Sequence, residues 1–169
     1  MPLSKKIALA RLFTRMPMLG RIWARSAPIA ESSGVPWTPM RKPLPESRIC
    51  LVTTGGLHLK SDKPFDMADP NGDPSFRAIP ATATRDGLTI THDYYDHRDA
   101  DRDFNIVLPL DRIRELVTAG HLGGQTSTHY SFMGHIDDPH VATLDREILP
   151  QFIRRLRAES PDFVFLTPT

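Results

Sequence analysis

The sequence RICLVTTGG, residues 48–56, is the stretch that decides the predicted fold. Residues 49–53 form a short, nearly continuous apolar run, which is typical of a strand buried on both faces. Gly55 and Gly56 follow at once, and glycines at the end of a buried strand allow tight turns and a close approach of the backbone to a ligand. A third glycine and a following helix are missing, so the full dinucleotide-binding motif is absent. The stretch therefore predicts a buried strand that ends beside a candidate site.

Strand-like and helix-like patterns alternate after residue 48. The other predicted strands are 87–90, 104–108, 126–132 and 162–167, and the predicted helices are 111–119 and 144–159. This alternation predicts an α/β fold with a mostly parallel sheet flanked by helices, of the Rossmann or flavodoxin-like kind. In such a fold, ligands bind beyond the carboxyl ends of the strands.

The first 47 residues are predicted to lie outside the α/β domain. Residues 1–27 have helical spacing of apolar side chains, with six basic residues and no acidic one. Pro17 should kink or end this helix near Met16. Three interpretations of the helix are open: it docks on the domain or on a partner, it lies on an anionic membrane surface, or it is a targeting segment. Residues 28–47 contain five prolines and predict an extended strap anchored by Trp37. The domain proper is predicted to span residues 48–169.

Composition and charge limit the classes of protein that fit. A chain of 169 residues with 24% charged residues has the size and composition of one globular domain. Residues 1–30 carry a charge of +6 and the remainder about −5, which is unlike a folded nucleic-acid-binding domain. The only cysteine, Cys50, cannot form an internal disulfide. No apolar run approaches the ~20 residues that span a bilayer, so the cytoplasm is the expected compartment.

The segment Thr91–Asp103, THDYYDHRDADRD, holds two histidines and five aspartates between two predicted strands. A loop anchored by a sheet at both ends and rich in titratable groups is where chemistry or a ligand is expected. The simpler interpretation is a solvated loop whose Asp and Arg side chains pair with each other. With the polar residues that follow the other strands, the segment predicts one cleft at the sheet's carboxyl edge, bordered by Gly55, Gly56, His58, Lys60, His92, His97, His129 and His135.

Three further kinds of site were weighed. His92 and His97 with the neighbouring aspartates could hold a transition metal, as in a metal-dependent hydrolase or lyase, but their spacing matches no named motif, and no metal is predicted. Ser131 beside His129 or His135 lacks the nucleophile-elbow sequence. Cys50 lies inside a predicted buried strand, where a thiol is usually inert packing. A non-catalytic domain that binds a small ligand or a partner through the same cleft remains a further alternative.

Several long strings carry a resemblance to a known family. They are RICLVTTGGLHLKSDKPFDMADPNGDPSFRAIP, then DRDFNIVLPLDRIRELVTAGHLGG, then HYSFMGHI, and finally FVFLTPT. In this order they resemble the selenoprotein B subunits of glycine, sarcosine, betaine and D-proline reductases, with the D-proline branch most similar. The resemblance covers about residues 43–169 and leaves the basic residues 1–30 outside.

The resemblance implies an oxidoreductase subunit that acts on X–H and Y–H bonds with a disulfide as acceptor. In those enzymes a pyruvoyl group on a companion subunit activates the substrate amine, a selenolate attacks carbon, and a dithiol or thioredoxin-like donor regenerates it. The substrate would be a small amine or amino acid. The chemistry needs a chalcogen that is ionised at neutral pH, which a position between a strand end and a helix start favours.

The resemblance also implies an expectation about the end of the chain. The family places its selenocysteine, with a cysteine close behind, directly after the strand that matches FVFLTPT, and the present chain stops at Thr169. Selenocysteine is encoded by UGA, which ordinary gene reading takes as a stop. The expectation is therefore a UGA codon after Thr169, a continuing frame, and a truncated 169-residue form that is catalytically inactive. A short, degenerate paralogue is the alternative.

Overall fold

The computed structural model describes residues 12, 15–26, 34 and 38–169. The chain divides into two compact units, residues 1–39 with 93–95, and residues 40–92 with 96–169. In the first unit, helix α1 spans Pro17–Ser26. It begins directly after a break at Met16, because proline is tolerated at the first position of a helix and not in its interior. The predicted helix before Leu12, the anchor Trp37 and most of the strap fall outside the described residues.

The second unit is built around strand β1, Arg48–Thr53. Strand β7, Phe163–Thr167, pairs with β1 in parallel from Ile49↔Phe163 to Thr53↔Thr167. On the other side of β1 lie β5, Gly124–Gln125, and β6, Thr128–Phe132, both parallel to it. Strand β3, Phe76–Pro80, pairs with β6 in the antiparallel direction and was not predicted. The sheet is thus mostly parallel, which confirms the predicted α/β class.

Strand β1 is buried because helices cover both of its faces. Ile49 and Leu51 point to a cluster that includes Leu110 and Ile113 of helix α3, Leu110–Thr118. Cys50 and Val52 point to a second cluster on the opposite face, against Phe152 of helix α5, Leu149–Glu159. The alternation of side chains along a strand sends neighbouring residues to opposite faces, so a strand covered on both sides must be continuously apolar.

The predicted strand 104–108 is wrong. A short helix α2, Arg98–Arg102, precedes it, and residues Phe104–Ile106 form a 3-10 turn. The Asp103 carboxylate accepts a hydrogen bond from the Asn105 backbone N–H (3.0 Å), which starts the turn. The buried residues Phe104, Val107 and Leu108 are three and four positions apart, a helical spacing, whereas Ile106 is exposed. The apolar composition suggested a strand, but the burial pattern is that of a helical turn.

Strand β2, Leu57–Leu59, was not predicted, and it pairs in the antiparallel direction with β4, Leu88–Ile90, apart from the main sheet. The other predicted elements agree in type with the structure but differ in their bounds. The predicted helix 144–159 begins earlier, as α4, His140–Thr143, and passes through a π-helical turn, Leu144–Ile148, into α5. Its predicted apolar stripe packs on the sheet as expected, apart from the exposed Ile153. None of the helices in the described part of the chain is long and apolar enough to cross a membrane.

Candidate functional site at the carboxyl edge of the sheet

The carboxyl ends of β1, β6 and β7 lie side by side at one edge of the sheet. Thr53, at the end of β1, is in register with Ser131 of β6 and Thr167 of β7. The Thr53 hydroxyl and the Thr54 N–H both donate a hydrogen bond to the Thr167 carbonyl, and each donor–acceptor distance is 3.2 Å. The Thr167 hydroxyl donates to the Val107 carbonyl (2.6 Å), which ties this edge to the turn after α2. Parallel strands therefore bring three separate polar strand ends together.

Gly55 and Gly56 form the turn at the end of β1, and Gly56 requires the absence of a side chain. Its φ of +67° is in the left-handed region, and a Cβ there would lie 2.5 Å from the Thr91 carbonyl oxygen. The Gly56 N–H donates to the Phe132 carbonyl (3.0 Å), and the Thr91 N–H donates to the Gly56 carbonyl (2.9 Å). The two glycines thus let the segment after β4 pass directly over the end of β1.

His92 is buried at this edge, with 4% of its surface exposed. A Cβ on Gly134 would lie 3.4 Å from His92 Nε2 and 3.2 Å from the Thr54 carbonyl oxygen. His92 therefore lies beside the chain that leaves β6 and beside the chain that leaves β1. Of the residues that were predicted to border the cleft, Gly55, Gly56 and His92 are those that the structure brings together here.

His58 and Lys60 lie along β2 and the turn after it. The His58 Nδ1–H donates to the Leu59 carbonyl (2.7 Å), and Nε2 accepts from the Thr91 hydroxyl (2.8 Å). The ring is buried and packs edge-on against Phe65, whereas Lys60 is exposed. His58 thereby supports the segment that carries His92, and both of its ring nitrogens are engaged in doing so.

His129 is placed inside the sheet and not in a cleft. Its Nδ1 accepts a hydrogen bond from the Leu51 backbone N–H (3.0 Å), a donor that a carbonyl of β6 would otherwise satisfy. Its Nε2–H donates to the Gln125 side-chain oxygen (3.1 Å), which bridges the break between β5 and β6. Burial, and then the Arg114 charge, lower the pKa of His129 to about 4, so the ring is neutral at pH 7. The imidazole therefore acts as part of the β-ladder.

His97 and His135 each form a hydrogen bond that stabilises a helix or loop outside the sheet. The His97 Nδ1–H donates to the Asp101 carboxylate (2.8 Å) within α2. The His135 Nε2–H donates to the Pro70 carbonyl (3.0 Å), in the turn-rich loop before β3. Gly72 of that loop has a φ of +89° and lies so close to the His135 carbonyl that a Cβ could not be accommodated.

Sequence reasoning missed His140. Its Nε2–H donates to the Asp69 carboxylate (2.8 Å), and this bond is the main reason that the pKa of Asp69 is lowered. With the His135 bond to Pro70, it fastens the loop 64–75 to the segment after β6. The dense series of turn formers in DMADPNGDP indicated a loop, but no local pattern could indicate a partner 71 residues away.

Cys50 is unsuited to nucleophilic chemistry in this fold. It is fully buried, its Sγ–H donates to the Thr128 carbonyl (3.5 Å), and burial raises the pKa of its thiol. A thiolate is the reactive form, so a buried thiol with a raised pKa is inert. Among the described residues, no group of three or more His, Cys, Asp or Glu side chains is arranged so that it could hold a metal ion.

Comparison with known proteins defines the class to which this fold and edge belong. The family model for glycine/sarcosine/betaine reductase selenoprotein B matches residues 8–169, and the chain therefore belongs to that family. The match begins within the basic amino-terminal segment, so the similarity to this family extends beyond residues 43–169. No solved structure matches the chain.

Two curated relatives are subunits of reductases. The D-proline reductase subunit gamma of Acetoanaerobium sticklandii is 36% identical over 131 residues, which cover 78% of this chain and 52% of the relative. The glycine reductase complex component B subunit gamma of Carboxydothermus hydrogenoformans is 28% identical over 154 residues, which cover 89% of this chain and 34% of the relative. The present chain thus spans about half or less of the length of these relatives. Membership of the selenoprotein B reductase family is the assignment that these matches support.

Proposed function

We propose that this chain is part of a reductase that cleaves a small amine or amino-acid substrate. The carboxyl edge of its sheet, at the ends of β1, β6 and β7, would form one side of the catalytic site. The observation that carries the proposal is the family match over residues 8–169. The geometry supports it, because the ends of β1, β6 and β7 meet the buried His92 at the edge where α/β proteins bind their ligands.

The nucleophile of the proposed reaction comes from outside these 169 residues. Cys50 is the only cysteine in the sequence, and its burial and raised pKa make it unreactive. A selenocysteine is the chalcogen that the family's name implies, and selenols are ionised at neutral pH where ordinary thiols are not. The proposed place for it is the edge formed by Thr54, Gly55 and Thr169, where Thr169 N–H donates to the Thr54 hydroxyl (3.1 Å).

The proposed substrate class follows the names of the two relatives, one a D-proline reductase and the other a glycine reductase. A companion subunit with a pyruvoyl group would activate the substrate nitrogen, and a dithiol or thioredoxin-like protein would return the electrons. The chain's own residues would shape the edge: the glycines admit close approach of the backbone, and the half-buried Thr91 with the buried His92 closes one side.

The proposal is tested on the complex that this chain forms in its own cells. Native affinity purification should recover a companion subunit, and the complex should reduce D-proline or glycine with dithiothreitol as donor. Reductive opening of the D-proline ring turns a secondary amine into a primary one, which a primary-amine reagent detects. Cys50→Ser should keep the activity, whereas alkylation of the reduced complex should abolish it. Recovery of the chain without any partner and without reductase activity on either substrate would overturn the proposal.

A further inference from the structure

A cavity lies towards the opposite end of β6 from the proposed catalytic edge. It has a volume of about 560 Å³ and lies between α5 and the β3–β6 surface, lined by Ala78, Ser127, Thr128, Tyr130, Arg155, Ala158 and Glu159. Ala78 is the register partner of Tyr130 on the neighbouring strand. The small side chains of Ala78 and Ala158 leave the space open between the sheet and the helix.

Tyr130 lines this cavity, and only 2% of its surface is exposed. Its ring is fixed by edge-to-face contacts with Phe76 and Phe152, at centroid distances of 5.8 and 5.1 Å. Burial raises the pKa of Tyr130, and this residue lines the cavity together with Arg155 and Glu159.

Two opposite charges border the cavity and are held apart. The Glu159 carboxylate accepts hydrogen bonds from the Ser127 N–H (3.0 Å) and the Ser127 hydroxyl (2.7 Å). The Arg155 guanidinium lies over the Phe76 ring, 5.5 Å from its centroid. The two residues are four positions apart on α5 and therefore share a face, but they form no ion pair with each other in the described structure. Each retains capacity for a charged ligand.

We propose that this cavity binds a small free amino acid as its zwitterion, at a second site that is separate from the proposed catalytic edge. The ligand carboxylate is bound by the Arg155 guanidinium and the Tyr130 hydroxyl, because a guanidinium and a hydroxyl are natural donors to a carboxylate. The ligand ammonium lies against the Glu159 carboxylate, whose two oxygens each have further acceptor capacity. A cavity of a few hundred Å³ with a few converging polar groups is the usual form of a small-molecule site.

The ligand class follows from the charges. A simple anion would face the Glu159 carboxylate, and a simple amine would face Arg155, so each alone has a repulsive neighbour. A molecule that carries both charges satisfies the two ends at once.

Isothermal titration calorimetry on the 169-residue chain tests the proposal, with glycine and D-proline as probes. Acetate and ethylamine, which each carry one of the two charges, should bind at least about tenfold more weakly than the amino acids. Arg155→Ala should weaken binding by about tenfold or more, and Tyr130→Phe, which keeps the ring, by several-fold. Arg155→Lys should restore part of the affinity, and Glu159→Gln should reduce the preference for the amino acid over acetate.

Arg154→Ala is the matched control, since Arg154 is exposed on the same helix and does not line the cavity. Circular dichroism establishes that each variant is folded before titration. Binding that is unaffected by both Arg155→Ala and Tyr130→Phe would place the amino acid elsewhere and overturn the inference. Absence of binding up to tens of millimolar, or equal binding of acetate and glycine, would also overturn it. None of these measurements depends on reductase activity, so the outcome is separate from that of the proposed function.

Discussion

At the scale of single residues, His129 shows how a group that looks catalytic can be structural. A neutral imidazole completes a backbone ladder here, through Leu51 N–H on one side and Gln125 on the other. Protonation of Nδ1 would remove the acceptor and place a positive charge in a buried site. The lowered pKa is therefore a consequence of the ladder role, and it has a measurable effect on stability.

We expect the free energy of unfolding to fall by about 2 kcal/mol between pH 7 and pH 5 because of His129. The pKa of His129 in the folded chain is about 4, below its ordinary value of 6.5, so the unfolded chain binds more protons in this range. The contribution is fully present above pH 6.5 and is lost as the pH falls through this range towards 4. Urea denaturation of the wild type and of His129→Asn, whose amide oxygen can replace Nδ1 as acceptor, measures it. His121→Gln, at an exposed position, should keep the wild-type pH dependence.

Gly56→Ala should destabilise the chain by about 3 kcal/mol, because the left-handed backbone and the close Thr91 carbonyl both exclude a Cβ. Gly120→Ala is the matched control: its φ is +73°, but a Cβ there would meet nothing within 4 Å. The control should cost only about 1 kcal/mol. Equal losses in chemical denaturation would show that the approach of the segment after β4 is unimportant at Gly56.

At the scale of elements, α5 is held to the sheet by an aromatic cluster. The ring of Phe152 makes edge-to-face contacts with Tyr130, Phe132 and Phe76, at centroid distances between 5.1 and 5.9 Å. Aromatic rings combine a large buried area with specific edge-to-face attraction, so one residue can dominate the docking of a helix. The same cluster positions the wall of the cavity that is proposed to bind an amino acid.

Phe152→Ala should reduce the free energy of unfolding by about 3 kcal/mol, since it removes a large side chain from a packed cluster. Ile153→Ala, at the next position of the same helix, should cost less than about 1 kcal/mol, because Ile153 is 41% exposed. Thermal and urea denaturation of both variants measure the difference. Similar losses would indicate that α5 is held mainly by its ends and not by the cluster.

At the scale of the whole molecule, the apolar clusters of the sheet contain only residues from Ile49 onward within the described chain. Deletion of residues 1–30 should therefore leave the cooperative unfolding transition nearly unchanged, with the same denaturant midpoint. The basic composition, Pro17 and the proline-rich strap all favour an appendage that contributes little to this core. Urea denaturation of the shortened and the full chain is the test, and loss of folded protein on deletion would show that the amino-terminal segment belongs to the core.

The α/β class, the strands β1 and β7 and the helix α3 could all be predicted from the sequence. The family could be predicted as well, from several long and specific strings. These features depend on the local periodicity of apolar residues or on long specific sequence strings. Both signals are present in the sequence whether or not the tertiary contacts are known. Gly55, Gly56 and His92 could likewise be placed at one edge, because parallel strands bring their carboxyl ends together whatever the details of packing.

The roles of side chains that contact residues far away in the chain could be recognised only in the folded structure. His129 and Leu51 are 78 residues apart, and His140 and Asp69 are 71 apart, so neither pair has a local signal. Residues 104–108 are apolar in either conformation, and the Asp103 cap with the cluster around Leu108 selected a turn over a strand. The cavity beside Tyr130 is lined by residues of β3, β6 and α5, which lie far apart in the sequence, so no single stretch indicates it.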